Sequence, residues 1–209
     1  MGKAAALWAA AALLGCGPAA AAQGAKAEAA RLQGLGDAAH AVQWIARTND
    51  HHGSPFAVVD KRQARIWVFD AAGRLRGTSA ALLGQAEGDG IAKDVGEHAQ
   101  SGSVPLEERT TPAGRFVSEP GRNVRGEHVV WADYDSAFAI HRLRPGKSLA
   151  DREARLASAS PSDNRATYGC VVVPVAFYLQ VVQPVLGRSR AVVYVLPEGP
   201  SSLDRADAL

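Results

Sequence analysis

Cysteine is nearly absent: Cys16 and Cys170 are the two thiols in 209 residues, which excludes a disulfide-built scaffold. Lysine is scarce as well. Lys3, Lys26, Lys61, Lys93 and Lys147 leave 18 of the 23 cations to arginine, the better fork for carboxylates. The 21 carboxylates nearly balance these cations, for a formal charge of +2. That balance excludes the one-sided basic excess of a dedicated nucleic-acid binder, so no nucleic-acid partner is expected. No internal repeat is present. The apolar stretch that ends near Gly15 is too short for an ordinary membrane-spanning helix. Neither a Cys-x-x-Cys nor a His-x-x-x-His spacing occurs. Asp50, His51 and His52 are adjacent on a turn and cannot close a ligand set by themselves, so no metal and no cofactor are expected. What is there is a globular balance of 47% hydrophobic against 21% charged residues, which excludes wholesale disorder and a multispan membrane protein.

The chain divides by composition. Residues 1–22 carry Lys3, an apolar run and Ala20-Ala21-Ala22, the pattern of a secretory signal with cleavage after Ala22. Leu13-Leu14-Gly15-Cys16 admits a second reading, a lipoprotein box with Cys16 lipidated. Either places the mature chain in the periplasm or cell envelope and leaves Cys170 as a lone thiol in an oxidising compartment. Residues 23–54 read as an Ala/Gly/Gln-rich tether with a short helix over Asp37–Arg47, capped by Asp37. Residues 55–198 form the main domain, and 199–209 a polar tail.

Within that domain, Phe56–Asp60, Ala64–Phe69 and Leu75–Leu83 read as an antiparallel meander separated by short turns. Residues 84–110 form a long polar loop. Thr111–Phe116 turns into an extended segment. His128–Ala132 and Ala137–His141 are two further strands. Residues 142–164 make a second long excursion with a helical turn near Leu149–Leu156. Val175–Leu186 is a helix and Val192–Leu196 a closing strand. The expected class is mainly β, with mixed sheets, one or two short helices and long loops at the site.

The chemistry-bearing pair is Cys170 and His141. A nucleophilic thiol needs a base and oxyanion donors. His141 ends an apolar strand, and Cys170 directly follows Gly169, a residue that lets backbone amides approach a developing oxyanion, where one donor contributes ~2.7–4 kcal/mol. The spacing also fits a buried structural cysteine beside Val171–Val173, with His141 an ordinary strand-end residue.

Six segments occur in a telling order: P-F-A-V-V-D-K (55–61), L-L-G-Q-A-E-G-D (82–89), R-T-T-P-A-G-R-F (109–116), A-I-H-R (139–142), A-T-Y-G-C-V-V-V-P (166–174) and V-Y-V-L-P (193–197). Over about residues 55–197 the chain resembles the L,D-transpeptidase (YkuD-like) family of peptidoglycan enzymes. The resemblance implies a YkuD-like β-rich sandwich and a secreted cysteine acyltransferase, with peptidoglycan stem peptides as partners. Cys170 is then the nucleophile, His141 the base and Thr167 the Ser/Thr of the motif, while Gly169 and the Cys170 amide form the oxyanion hole. Arg142, Arg144 and Arg165 become clamps for stem carboxylates, and Tyr168 a substrate contact where many members carry a second His. The expected reaction is acyl transfer through a Cys170 thioester, giving 3→3 crosslinks or D-Ala exchange. Hydrolysis on the same scaffold and a catalytically impaired wall-binding protein are the alternatives. Val172 stands where the family carries Asn or Arg. It cannot donate a hydrogen bond, so Val172→Asn is expected to raise the rate.

Overall fold

The computed structural model describes residues 35, 36 and 38–199. The signal, the lipid-anchor alternative at Cys16, most of the tether, the Asp37 cap and the last ten residues lie outside them. Among the described residues no helix is long and apolar enough to cross a membrane. Every element below belongs to the compact unit 37–209.

Helix α1 (Ala38–Thr48) buries Ala38, Ala41 and Ile45, a three-and-four spacing that turns one face inward. Strands β1 (Phe56–Asp60), β2 (Arg65–Phe69) and β3 (Leu75–Ala80) form the expected meander, each antiparallel to the next. Two residues of β4 (Leu83–Gly84) follow. The long polar loop is not structureless: it holds α2 (Val95–Ser101) and a 3-10 turn at Leu106–Glu108. Strands β5 (Gly114–Arg122), β6 (His128–Asp133) and β7 (Phe138–Arg142) continue the chain. Helix α3 (Leu149–Ala157), the short β8 (Arg165–Thr167) and β9 (Val171–Val173) come next. Helix α4 starts at Val175–Phe177, widens to a π-turn at Tyr178–Val182 and ends at Gln183–Leu186. β10 (Ala191–Leu196) closes the fold.

The fold is mainly β. Eight strands form one mixed sheet in the order β3-β2-β1-β10-β5-β6-β7-β9, while β4 and β8 pair separately. Two pairings within the large sheet are parallel, β1 with β10 and β7 with β9. β1 and β10 are buried at every position, as central strands covered on both faces must be. Ala57, Val59, Ile66, Val68, Val193 and Val195 face Tyr178, Val182 and Leu186 of α4 in one apolar core. α1 packs on β1. Gly77 lets α4 approach β3 closely: a Cβ there would sit 3.1 Å from the Phe177 ring and 3.2 Å from Val181.

The parallel β7–β9 pairing has a direct chemical consequence. Its register sets His141 beside Val172. Neighbouring residues across a pair share a face, and so do residues two apart along a strand. His141, Val172 and the Cys170 position, the first and last of them 29 residues apart, are therefore brought to one face of one sheet edge.

Candidate active site

Cys170 sits in a backbone frame built by two threonines. Thr111, fully buried, accepts a bond from the Gly84 N–H and donates to the Gly169 carbonyl, both at 2.8 Å. Thr167 Oγ1 accepts the Gly169 N–H at 3.1 Å and donates to the Cys170 carbonyl at 2.7 Å. Gly169 is required here twice over. Its φ of +129° belongs to glycine, and a Cβ would lie 2.7 Å from the Thr110 carbonyl. The three-residue turn is thus fixed from both sides.

That frame revises one role. The Gly169 N–H is taken by Thr167, so of the two oxyanion donors expected from the sequence the Cys170 amide is the one Thr167 leaves. Thr167 spends its hydroxyl on the turn.

The thiol is partly buried and donates to the Ala137 carbonyl at 3.4 Å. Ala137 holds a left-handed backbone at φ 56°, the kind of local strain that concentrates at functional turns. Burial pushes the thiol pKa up, with the Ala139 backbone and Arg144 pulling weakly the other way. His141 Nδ1 lies 2.8 Å from the Arg142 carbonyl, which makes Nδ1 the protonated nitrogen and Nε2 the one that carries the lone pair. Burial above all, then Arg144, lowers the imidazole pKa to about 4. At neutral pH the resting pair is therefore a thiol and a neutral imidazole. Among the described residues no hydrogen bond joins them; a proton must move during attack rather than before it.

The arginines expected to clamp substrate carboxylates hold carboxylates of the chain itself. Arg144 Nε contacts Glu127 at 2.9 Å, and Arg142 reaches the same carboxylate at 3.5 Å. Glu127 is held below the usual carboxylate range by its Asn123 hydrogen bond first and by these arginines. Arg165 contacts Glu198 at 2.7 Å and the Gly84 carbonyl at 3.4 Å. Tyr168 is exposed, with the Arg109 guanidinium 4.2 Å above its ring.

Val172 is the clearest departure from expectation. It is 3% exposed and packs with Leu82 and Leu143 in a small separate core. Leu149 and Leu156 of α3, Ala166 and Cys170 close around it. The helical turn foreseen near Leu149–Leu156 is a nine-residue amphipathic helix that packs Leu149 and Leu156 on this small core. Val172 is thus core beneath a helix rather than an open wall of a cleft. Arg152 of α3 donates to the Arg144 carbonyl at 2.8 Å and tethers the helix there.

Three contributors were not visible in the sequence. Lys61, 0% exposed in its side chain, donates to the Gly88 carbonyl at 2.7 Å, to Asp89 at 2.5 Å and to the Thr111 carbonyl at 2.9 Å, with Glu198 3.5 Å away. A buried ammonium persists only with such partners, and this one pins the long loop to β1. Its only sequence signal was a lysine directly after an apolar strand. Thr111 gave no more than its place in T-T-P. Glu108 gave none.

No protein-family model matches the chain, and no curated protein matches it. Solved structures do resemble it in fold. One is an L,D-transpeptidase of Enterococcus faecium, at 16% identity over 68% of this chain and 50% of that one, with a TM-score of 0.35. Another is the helical cell shape determining protein Pgp2 of Campylobacter jejuni, at 15% identity over 79% and 59%, with a TM-score of 0.41. A third is a fused Zn-dependent amidase/peptidase/peptidoglycan-binding domain-containing protein of Clostridium acetobutylicum, at 16% identity over 79% and 61%, with a TM-score of 0.38. The chain spans between 50% and 61% of the length of these three. They assign no role to any residue of this chain.

His51 and Asp50 have structural uses. His51 bonds the Ser54 carbonyl at 2.9 Å and lies tilted against Phe56, with ring centroids 5.0 Å apart. Asp50 receives Arg115 at 2.6 Å and the Tyr194 hydroxyl at 2.5 Å. Among the described residues no group of three or more His, Cys, Asp or Glu is placed to hold a metal ion.

Proposed function

We propose that the protein is a cysteine acyltransferase acting on peptidoglycan stem peptides by L,D-transpeptidation, in the cell envelope. The observation that carries the reading is the double-threonine frame around Gly169. It holds a glycine-only turn so that a single thiol faces a cleft, on the same sheet edge as a histidine whose tautomer is already set. A structural cysteine has no use for that arrangement.

The chemistry follows from these groups. Cys170 Sγ attacks the carbonyl carbon ahead of the terminal D-Ala while its proton passes to His141 Nε2. The Cys170 amide is the donor for the oxyanion. The carbon–nitrogen bond breaks, the imidazolium returns its proton to the leaving amine, and a thioester remains. An amine of a second stem then attacks, giving the crosslink and restoring the thiol. A neutral resting pair suits this order. Charge separation in a desolvated site is unfavourable until the substrate carbonyl accepts the sulfur's electrons.

Two measurements test the reading. Incubation with a carbapenem followed by intact mass should give one adduct, lost in Cys170→Ala. Purified muropeptides should then yield crosslinked dimers. Absence of any adduct on the folded wild type refutes the nucleophile, and release of D-Ala without dimers replaces transfer by hydrolysis.

A further inference from the structure

Cys170 lines a small open cleft to which α3 contributes no residue. Its walls come from the long loop (Ile91, Val95, Thr110, Pro112), from the Ser136–Phe138 turn and from Tyr168–Cys170. Most of that lining is apolar, backbone or hydroxyl. Glu108 is the one acidic or basic side chain in the lining. It is largely shielded, at 18% side-chain exposure, and His98 of α2 holds it at 2.6 Å. The nearest arginine in sequence, Arg109, is not part of the lining. It donates to the Val104 carbonyl at 2.9 Å and Gln85 at 2.6 Å, and lies over Tyr168. The orphaned Ser136 hydroxyl adds a polar group to the same wall.

A single carboxylate in a half-desolvated cleft sets the sign of what enters it. Charge interactions there are several times stronger than in bulk water. We propose that this cleft admits cationic groups to Cys170 and that Glu108 is the specificity-determining residue for a primary amine acceptor, bound in its ammonium form. This rests on the acyl-transfer reading for its biological meaning, but the cation preference stands on the cleft alone. In the transfer step the amine nitrogen bonds to the thioester carbon and the carbon–sulfur bond breaks, its electron pair returning to Sγ. The ammonium loses one proton to Glu108, and from there to solvent. The second proton passes through His141 to Sγ.

The His98 pair makes the preference depend on pH. Glu108 raises the imidazole pKa, with smaller contributions from Asp94 and Glu97, although modest desolvation opposes it. Below that raised value the imidazolium neutralises Glu108; above it the cleft carries a bare negative charge. Cys170 and Tyr168 are the other titratable groups lining the cleft, and burial raises the Cys170 thiol pKa.

The test uses two thiol reagents of equal reach and opposite charge, the trimethylammonioethyl and sulfonatoethyl methanethiosulfonates. Each forms a mixed disulfide with Cys170 and releases methanesulfinate. In the wild type the cationic reagent should react faster, and the ratio should rise as pH passes the His98 value and shrink with salt. Glu108→Gln should lower the ratio about tenfold. Glu87→Gln, exposed elsewhere on the long loop, should leave it unchanged. A Glu108→Gln ratio within about twofold of the wild type, an equal fall in Glu87→Gln, or no labelling of Cys170 by either reagent overturns the proposal. A second measurement follows the acyl-enzyme: Glu108→Gln should form thioester at the wild-type rate but divert it from added amine to water. If the charge ratio behaves as stated and no thioester ever forms, the acyl-transfer reading fails while the cation-selective cleft stands.

Discussion

Replacing Val172 by Asn restores the residue type that the family resemblance calls for, and the structure gives it the opposite of a beneficial effect. The side chain is 3% exposed between Leu82 and Leu143, under Leu149 and Leu156. Fully burying a valine stabilises by about 1.5–3 kcal/mol, and Asn forfeits most of that. The new amide finds apolar neighbours on every named side, and an unsatisfied buried polar group costs about 1–3 kcal/mol. Together the loss is about 3–5 kcal/mol, a large part of the ~5–15 kcal/mol typical of a whole domain. Val172→Ala is the control. It removes apolar contact and leaves a cavity for about 1–3 kcal/mol, without an orphaned amide. Urea unfolding of the three proteins, followed by tryptophan fluorescence, separates the two contributions, and carbapenem acylation of Cys170 should fall only in step with the folded fraction. A Val172→Asn protein within about 0.5 kcal/mol of the wild type and faster in acylation would refute the reasoning. It would mean that α3 lifts away in solution and leaves position 172 open to substrate.

Three further outcomes are expected. Thr111→Val keeps the shape but leaves the Gly84 N–H and the Gly169 carbonyl without their shared partner, so it should cost about 1–3 kcal/mol in urea unfolding and slow carbapenem acylation of the protein that remains folded. His141 has its pKa lowered to about 4, so the unfolded chain binds more protons than the folded one between about pH 6.5 and pH 4. The wild type should therefore lose up to about 3 kcal/mol of stability as pH falls through that window, a loss that His141→Gln lacks and that melting curves against pH would reveal. Because burial raises the Cys170 pKa, alkylation by neutral iodoacetamide should still be climbing above about pH 8.5; a plateau near neutrality would show a preformed thiolate.

Local patterns carry a definite part of this protein. Alternating and continuous apolar runs marked β1, β2, β6, β7 and β10, because burial acts on each strand through side chains two apart. The same runs, with few helical periods between them, made the class mainly β. The pairing of Cys170 with His141 as chemistry-bearing residues came from residue type and from the glycine before the thiol. Thr167 and Gly169 came from the motif. None of this required a neighbour distant in sequence.

What only the tertiary structure decided depends on such neighbours. The β7–β9 register sets His141 against Val172, and no local signal encodes a parallel pairing between segments about thirty residues apart. Val172 is core because α3 folds over it, and α3 was legible only as a helical turn in a polar excursion. Arg142, Arg144 and Arg165 looked available for substrate until Glu127 and Glu198 were found beside them. The long loop carries too little apolar pattern to declare its order. It is held by the buried ammonium of Lys61 and by Thr111, contacts that span 27 to 58 residues. Glu108 acquires meaning only once that loop is in place, because a carboxylate on a polar stretch has no site until the fold closes a cleft around it.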